Sequence, residues 1–346
     1  MKLKFWPFEL QLTHPWMIAS RRGSNPHQVV LVELTDTDGV TGLGEAAPSR
    51  VYEETPEGVM AFCRQVDARK LSFADIPGSM SYLAALAPGQ MATKCGFNLA
   101  LLDGAARRAR QPLYDFLGLG FRENHHVTSF SIGIDTADII RKKVIAAEKY
   151  PVLKLKLGDP RDRENLAALR EISPTKPVRV DANEAWQTKE QALTMIEWCA
   201  KDGYIQFIEQ PMPRDASAAD MVWLKERSPL PLFADESYHT AKDLAYCVEC
   251  FHGVNVKLVK TGGVSVAYDA LQAARKAGLK TMLGCMIETS VLISAAAHLA
   301  ELTDHLDIDG NLLITNDPFL GVTADKGILS FAKAVEKNGL RVTARA

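Results

Sequence analysis

From residue 127 onward, short apolar runs alternate with segments of helical spacing. The runs at 127–134, 152–157, 178–180, 205–208, 232–234, 254–257, 280–284 and 305–308 read as eight strands. Eight strands with helices between them match a (β/α) barrel. Helix signals recur in the gaps. Thr188-Lys189-Glu190-Gln191 has capping-box spacing and opens an amphipathic run that stops at Gly203. The last unit is cut short, because after Asp309 the chain passes through Asn316-Asp317-Pro318 into Gly327-Ile328-Leu329, a loop and strand pattern. Its tail is expected to return to the first third of the chain. That third is patterned differently, with strands expected at 2–13, 28–35 and up to residue 44, a turn at 36–39, and apolar helices at 92–108 and 113–117. It reads as α+β.

Composition narrows the class. A chain of 346 residues, 47% hydrophobic and 24% charged, is an ordinary globular protein with room for two packed units. A net charge of −2 and the lack of like-charge blocks give no field for nucleic acid or an anionic membrane, so neither partner is expected. The start alternates apolar and polar residues and contains Glu9, which is strand-like rather than a signal peptide. Six scattered cysteines in such a chain predict reduced thiols and a cytoplasmic location. Cys247-Val248-Glu249-Cys250 is a CxxC followed by His252, but it lies in a helical pattern, and helix is preferred over metal binding.

Charge then changes the picture. Lys156, Asp181, Glu209, Asp235 and Lys257 close successive barrel strands, about 22 to 28 residues apart, roughly one strand plus one helix. The C-terminal ends of barrel strands converge on one mouth, so these residues form one cluster. A single strand-end charge is usually a solvated cap; three consecutive acidic ends bracketed by lysines are harder to explain that way. Strand parity turns Lys154 and Lys156 inward while Leu153, Leu155 and Leu157 pack outward, and it turns Lys257 inward with Lys260 on the other face. Three carboxylates with room for further oxygens suit Mg2+ better than zinc. A substrate carboxylate at such an ion would put its α-carbon between two amines, and a cationic neighbourhood would lower the acting amine's pKa from about 10.4 towards neutrality.

Lys154-Leu155-Lys156, Val180-Asp181-Ala182-Asn183, Ile208-Glu209-Gln210-Pro211, Ala234-Asp235-Glu236-Ser237 and Val256-Lys257-Leu258-Val259-Lys260-Thr261-Gly262-Gly263 together resemble the enolase superfamily, muconate lactonizing enzyme subgroup. The use of a Lys or His base with magnesium is a known property of that superfamily. The resemblance implies an α/β fold: a (β/α)7β modified TIM barrel over residues 119–317 under an α+β capping domain over 1–118, completed by 318–346. It further implies one Mg2+ held by Asp181, Glu209 and Asp235, an acid/base pair of Lys156 and Lys257, and Lys154 beside the substrate carboxylate.

Within that subgroup the lysines do not decide the reaction. Asp307-Ile308-Asp309 does, because by parity both aspartates face inward and form an anionic pair suited to a free ammonium, similar to the Asp-x-Asp motif of dipeptide epimerases. Ser131 joins them as a substrate-binding candidate. Arg21 and Arg22, in the loop 20–24, are candidates for a glutamate side chain, by resemblance to L-Ala-D/L-Glu epimerases. The expectation is a Mg2+-dependent dipeptide epimerase that inverts the α-carbon of the C-terminal residue, with L-Ala-D/L-Glu as substrate and a role in murein peptide metabolism. The partners expected are a small dipeptide and a second copy of the chain in a homo-oligomer. Alternatives are an N-acylamino acid racemase or o-succinylbenzoate synthase of the same subgroup, or a barrel that binds ligand without catalysis.

Overall fold

The computed structural model describes residues 1–14, 17–18 and 27–346. Arg21 and Arg22 lie outside the described residues.

The first third opens with an antiparallel sheet, β1 (Lys2–Leu10), β2 (His27–Thr35) and β3 (Thr41–Ala46), in the order β1-β2-β3. Helices α1 (Pro56–Gln65), α2 (Ile76–Leu86), α3 (Met91–Arg108) and α4 (Leu113–Phe116) follow. α3 is buried along nearly its whole length because it lies between this sheet and the second unit. Its contact with β3 is possible only without side chains: a Cβ at Gly42 or Gly44 would stand 2.0 or 1.9 Å from the carbonyl oxygens of Ala100 and Gly96. Val30, Val32, Phe62, Leu83, Phe97 and Leu101 form the core between the sheet and the helices.

The second unit is a ring of eight parallel strands: β4 (Phe130–Ile132), β5 (Leu153–Lys156), β6 (Val178–Asp181), β7 (Ile205–Glu209), β8 (Leu232–Ala234), β9 (Gly253–Lys257), β10 (Lys280–Gly284) and β11 (His305–Asp307). All eight expected runs carry a strand. The ring is joined between β11 and the approach to β4 by a parallel bridge, Thr128 to Leu306. Helices α5 (Ala137–Ala146), α6 (Asp162–Ile172), α7 (Lys189–Ala200), α8 (Ala218–Arg227), α9 (Leu244–Cys250), a single turn α10 (Leu258–Thr261), α11 (Val264–Lys276) and α12 (Ser290–Ala297) follow the first seven strands. β11 leads only into a 3-10 turn, Gly310–Leu313. That is the (β/α)7β arrangement.

Two-residue periodicity sorts the strands. Leu153, Leu155, Val178, Val180 and Val256 join the core under the helices, while Phe207, Phe233 and Met282 form a separate apolar layer inside the ring. Two residues further along the chain come Glu209 and Gly284, the last residues of β7 and β10, and Asp235, the first residue after β8, so the polar mouth stands directly on that floor.

Two details differ from expectation and one agrees with it. The first strand ends at Leu10, because the chain beyond it leaves β2 and pairs with the tail: Leu12 bridges Ile314, and Thr13 N–H donates to the Leu313 carbonyl. The Thr188 hydroxyl accepts the Gln191 N–H as an N-cap, but the Gln191 amide oxygen accepts from Gln187 rather than Thr188, so the box is not reciprocal. Cys247 and Cys250 are buried free thiols on α9, as the helix reading requires. The tail also reaches α3, where Arg107 pairs with Glu336 at 2.8 Å and Asp103 accepts the Leu340 N–H.

Candidate active site

A cavity of about 450 Å³ opens at the C-terminal ends of the barrel strands, roofed by the first domain. The barrel contributes Ser131, Lys154, Lys156, Asn183, Glu236, Lys257, Asp307 and Asp309 to its wall; the roof contributes residues 47–52 and Gln28. Beneath the opening, Asp181, Glu209 and Asp235 offer carboxylate oxygens that all lie within 4.8 Å of one another.

The lysines bind this group from two sides. Lys154 Nζ stands 2.7 Å from Asp307 Oδ2, 2.8 Å from Glu209 Oε2 and 3.0 Å from Asp181 Oδ2. Lys156 Nζ is 2.6 Å from Asp181 Oδ2. Lys257 Nζ is 2.7 Å from Asp235 Oδ2. Lys156 ends β5 and Lys257 ends β9, with three strands between them in a ring of eight, so they flank the carboxylates from opposite sides.

Lys260 does not point away, as parity predicted. The strand ends at Lys257 and the chain coils into α10, so two-residue alternation stops and Lys260 Nζ reaches back to Asp235 Oδ1 at 2.6 Å. It is fully buried behind the carboxylate and does not line the cavity, whereas Lys257 does.

Electrostatics shows too little positive charge for the acids present. Burial, with Asp181 adding to it, raises Glu209 to about 7. Burial and the Asp235 charge raise Glu236 to about 8. Asp181 goes the other way: Lys154 and Lys156 outweigh burial and hold it at about 2. Burial lowers Lys257, but the Asp235 carboxylate outweighs it and lifts the ammonium well above its usual range. That reverses the direction expected from sequence, because the immediate neighbour is an acid rather than a cation.

The donor set fits Mg2+. Octahedral Mg2+ takes oxygens at 2.0–2.1 Å, so its ligands stand at most about 4 Å apart, near the spacing found here. The raised acids and the ammonium groups leaning on the carboxylates mark the place where a divalent cation would supply charge.

Asp307 and Asp309 both line the cavity, as their alternation predicted. Asp307 accepts from the Ser129 hydroxyl at 2.6 Å as well as from Lys154; burial opposes its ionisation, but Lys154 holds it below the usual carboxylate range. Asp309 accepts the Ser131 N–H at 2.6 Å, and burial with the neighbouring Asp307 charge raises it to about 7. Asp309 is therefore the acid less well matched by a cation.

Sequence reasoning left several cavity residues without a role. Asn183 and Glu236 lie beside the acids but fall after the last strand residue, where parity says nothing; the Asn183 amide donates to Glu236 Oε1 at 3.1 Å. Asn183 and Gln210 have φ of 42° and 37°, left-handed conformations two residues and one residue past the acidic strand ends Asp181 and Glu209. The Gln210 amide oxygen accepts the N–H groups of Asp235 and Ser237, tying the end of β7 to the end of β8. Tyr52 comes from the roof, where its ring meets His239 edge-on at 4.9 Å, and no local pattern could have pointed to it.

Comparison with known proteins agrees with this geometry. Residues 138–327 match the model of the enolase C-terminal domain-like family, and residues 8–118 match that of the mandelate racemase / muconate lactonizing enzyme N-terminal domain. An L-Ala-D/L-amino acid epimerase of Pedosphaera parvula is 68% identical over the full length of both chains. Among solved structures, a substrate-liganded L-Ala-D/L-Glu epimerase of Bacillus subtilis superposes with a TM-score of 0.91 at 26% identity, covering 100% of this chain and 99% of that one. A dipeptide epimerase of Cytophaga hutchinsonii, complexed with Mg and D-Ala-L-Val, has the same TM-score at 25% identity, covering 99% and 95%. The chain therefore belongs to the enolase superfamily, in its mandelate racemase / muconate lactonizing enzyme branch.

Proposed function

We propose that this enzyme is a Mg2+-dependent dipeptide epimerase that inverts the α-carbon of the C-terminal residue of L-Ala-Xaa dipeptides. The observation that carries the reading is two lysines on opposite sides of one cluster of three carboxylates, with an aspartate pair on the same rim. One Mg2+ held by Asp181, Glu209 and Asp235 would supply fixed positive charge beside the substrate carboxylate. Lys156 and Lys257 stand on opposite faces, so one removes the α-proton and the other returns a proton from the far side, which inverts the centre. Lys154 balances the charge on Asp181, Glu209 and Asp307 and adds a cation near the substrate carboxylate. Asp309, with Asp307 beside it, accepts hydrogen bonds from the substrate ammonium. Ser131 holds Asp309 in place through its backbone N–H.

L-Ala-D/L-Glu falls within this substrate class, and it would place the enzyme in murein peptide turnover in the cytoplasm. The relative at 68% identity acts, by its name, on L-Ala-D/L-amino acids, which favours a wider choice at the second position. Arg21 and Arg22 are our candidates for the γ-carboxylate of a glutamate. No described helix is long and apolar enough to cross a membrane.

Incubation with free and N-acetylated dipeptides in D2O with Mg2+, read by mass spectrometry and chiral separation, tests the reading. Expected are one deuterium at the C-terminal α-carbon, loss of exchange with EDTA, and a strong preference for the free amine. Equal rates on N-acylated substrates would instead favour an N-acylamino acid racemase.

A further inference from the structure

Each of the three acidic residues under the cavity has one carboxylate oxygen tied to a partner other than the cavity lysines Lys154, Lys156 and Lys257, and one that only those lysines touch. Asp181 Oδ1 accepts the Asn183 N–H at 2.9 Å, and its Oδ2 meets Lys156 and Lys154. Glu209 Oε1 accepts the Asn255 amide at 2.8 Å, and its Oε2 has the Lys154 ammonium at 2.8 Å and no further hydrogen-bond partner. Asp235 Oδ1 accepts Lys260 Nζ at 2.6 Å, and its Oδ2 meets Lys257 at 2.7 Å.

The partners holding the first oxygens are rigid. Lys260 is buried to the tip of its side chain, and its ammonium also donates to the carbonyls of Asp235 and Asn255 at 2.6 and 3.0 Å, so all three of its hydrogens have acceptors. Asn255 is fully buried on β9, between the ring interior and Gly284, where a Cβ would stand 2.6 Å from its amide oxygen. The Asn183 contact is made by backbone.

We propose that Lys260 and Asn255 are metal-selectivity residues: by holding Asp235 Oδ1 and Glu209 Oε1, they leave each acid a single oxygen for the cation. Together with Asn183, which does the same for Asp181, they set a ligand field of three one-oxygen carboxylates. Small Mg2+ needs six ligands in near-ideal octahedral geometry and accepts that field with water or substrate oxygens added. Larger Ca2+ takes six to eight oxygens and gains from two-oxygen carboxylates, which these contacts deny it. Neither residue touches substrate in this reading; both are positioning residues for the cation. The inference rests on the proposed Mg2+ site.

The test measures cation affinity rather than turnover. Free Mn2+ is followed by electron paramagnetic resonance in the wild type, Lys260→Met and Asn255→Leu, and Mg2+ and Ca2+ are each titrated as competitors. The readout is the ratio of the two dissociation constants. A change in local charge or a loss of folded fraction acts on both dications alike and leaves the ratio alone. Freeing one oxygen is expected to shift the ratio towards Ca2+ by about tenfold in each variant, the lower end of what outer hydrogen-bond partners of metal ligands contribute. A ratio within about twofold of wild type in the folded variants overturns the inference; should Lys260→Met not fold, Asn255→Leu decides. Failure of the wild type to bind Mn2+ stoichiometrically would instead overturn the proposed metal site.

Discussion

At the residue scale, the proposed mechanism divides one task between Lys156 and Lys257 on two faces. Removing a positioned acid or base typically costs about 10²- to 10⁴-fold in rate. Lys156→Ala and Lys257→Ala are each expected to lose epimerisation by at least the lower figure. Each should still exchange deuterium from one diastereomer, because the remaining lysine still reaches its own face. Separate assays of the two diastereomers in D2O check this, and exchange from both diastereomers in both variants would refute the division. Parity identified the two lysines within their strands but failed at Lys260, three residues past Lys257. Backbone alternation lasts only as long as the strand, and α10 begins at Leu258.

At the element scale, the joint between β3 and α12 carries a titratable cap. Glu45, buried near the end of β3, accepts the Thr289 N–H at 2.9 Å, the Thr289 hydroxyl at 2.5 Å and the Leu292 N–H at 3.3 Å, so a strand of the first domain caps a helix of the barrel. Burial outweighs these bonds and raises Glu45 from 4.5 to about 7. The folded state thus holds this proton more tightly than the unfolded chain, and stability falls as pH rises from about 4.5 to about 7. Glu45→Gln removes that dependence. From about pH 5 to about pH 8 the wild type is expected to lose roughly 3 to 8 °C more in Tm than the variant. Equal slopes in a calorimetric pH series would show that Glu45 stays ionised throughout. No motif announced this joint, because its partners are more than two hundred residues apart.

At the scale of the whole molecule, the cavity exists only where two units meet. The acids arrive on consecutive barrel strands, so a cation bound by all three would fasten β6, β7 and β8 together at the mouth. A ligand that binds only the folded state stabilises it by about 2.7 kcal/mol at a hundredfold excess over Kd. Saturating Mg2+ is accordingly expected to raise Tm by several degrees over EDTA-treated protein, and Asp181→Asn should abolish the rise. Identical melting curves with and without Mg2+ would separate the carboxylate cluster from metal binding.

The sequence by itself determined the eight barrel strands and the inward aspect of Lys154, Lys156, Asp307 and Asp309. It did so because strand alternation and the strand-helix period are local properties that each segment carries alone. It also placed Asp181, Glu209 and Asp235 at converging ends, since barrel closure follows from the count and order of strands. Tertiary structure alone decided which oxygen of each carboxylate faces the cavity lysines, that Lys260 lies behind Asp235, and that Tyr52 and Glu45 reach across from the first domain. Those outcomes depend on side chains meeting over long sequence separations, at strand ends and loops where no period constrains the backbone.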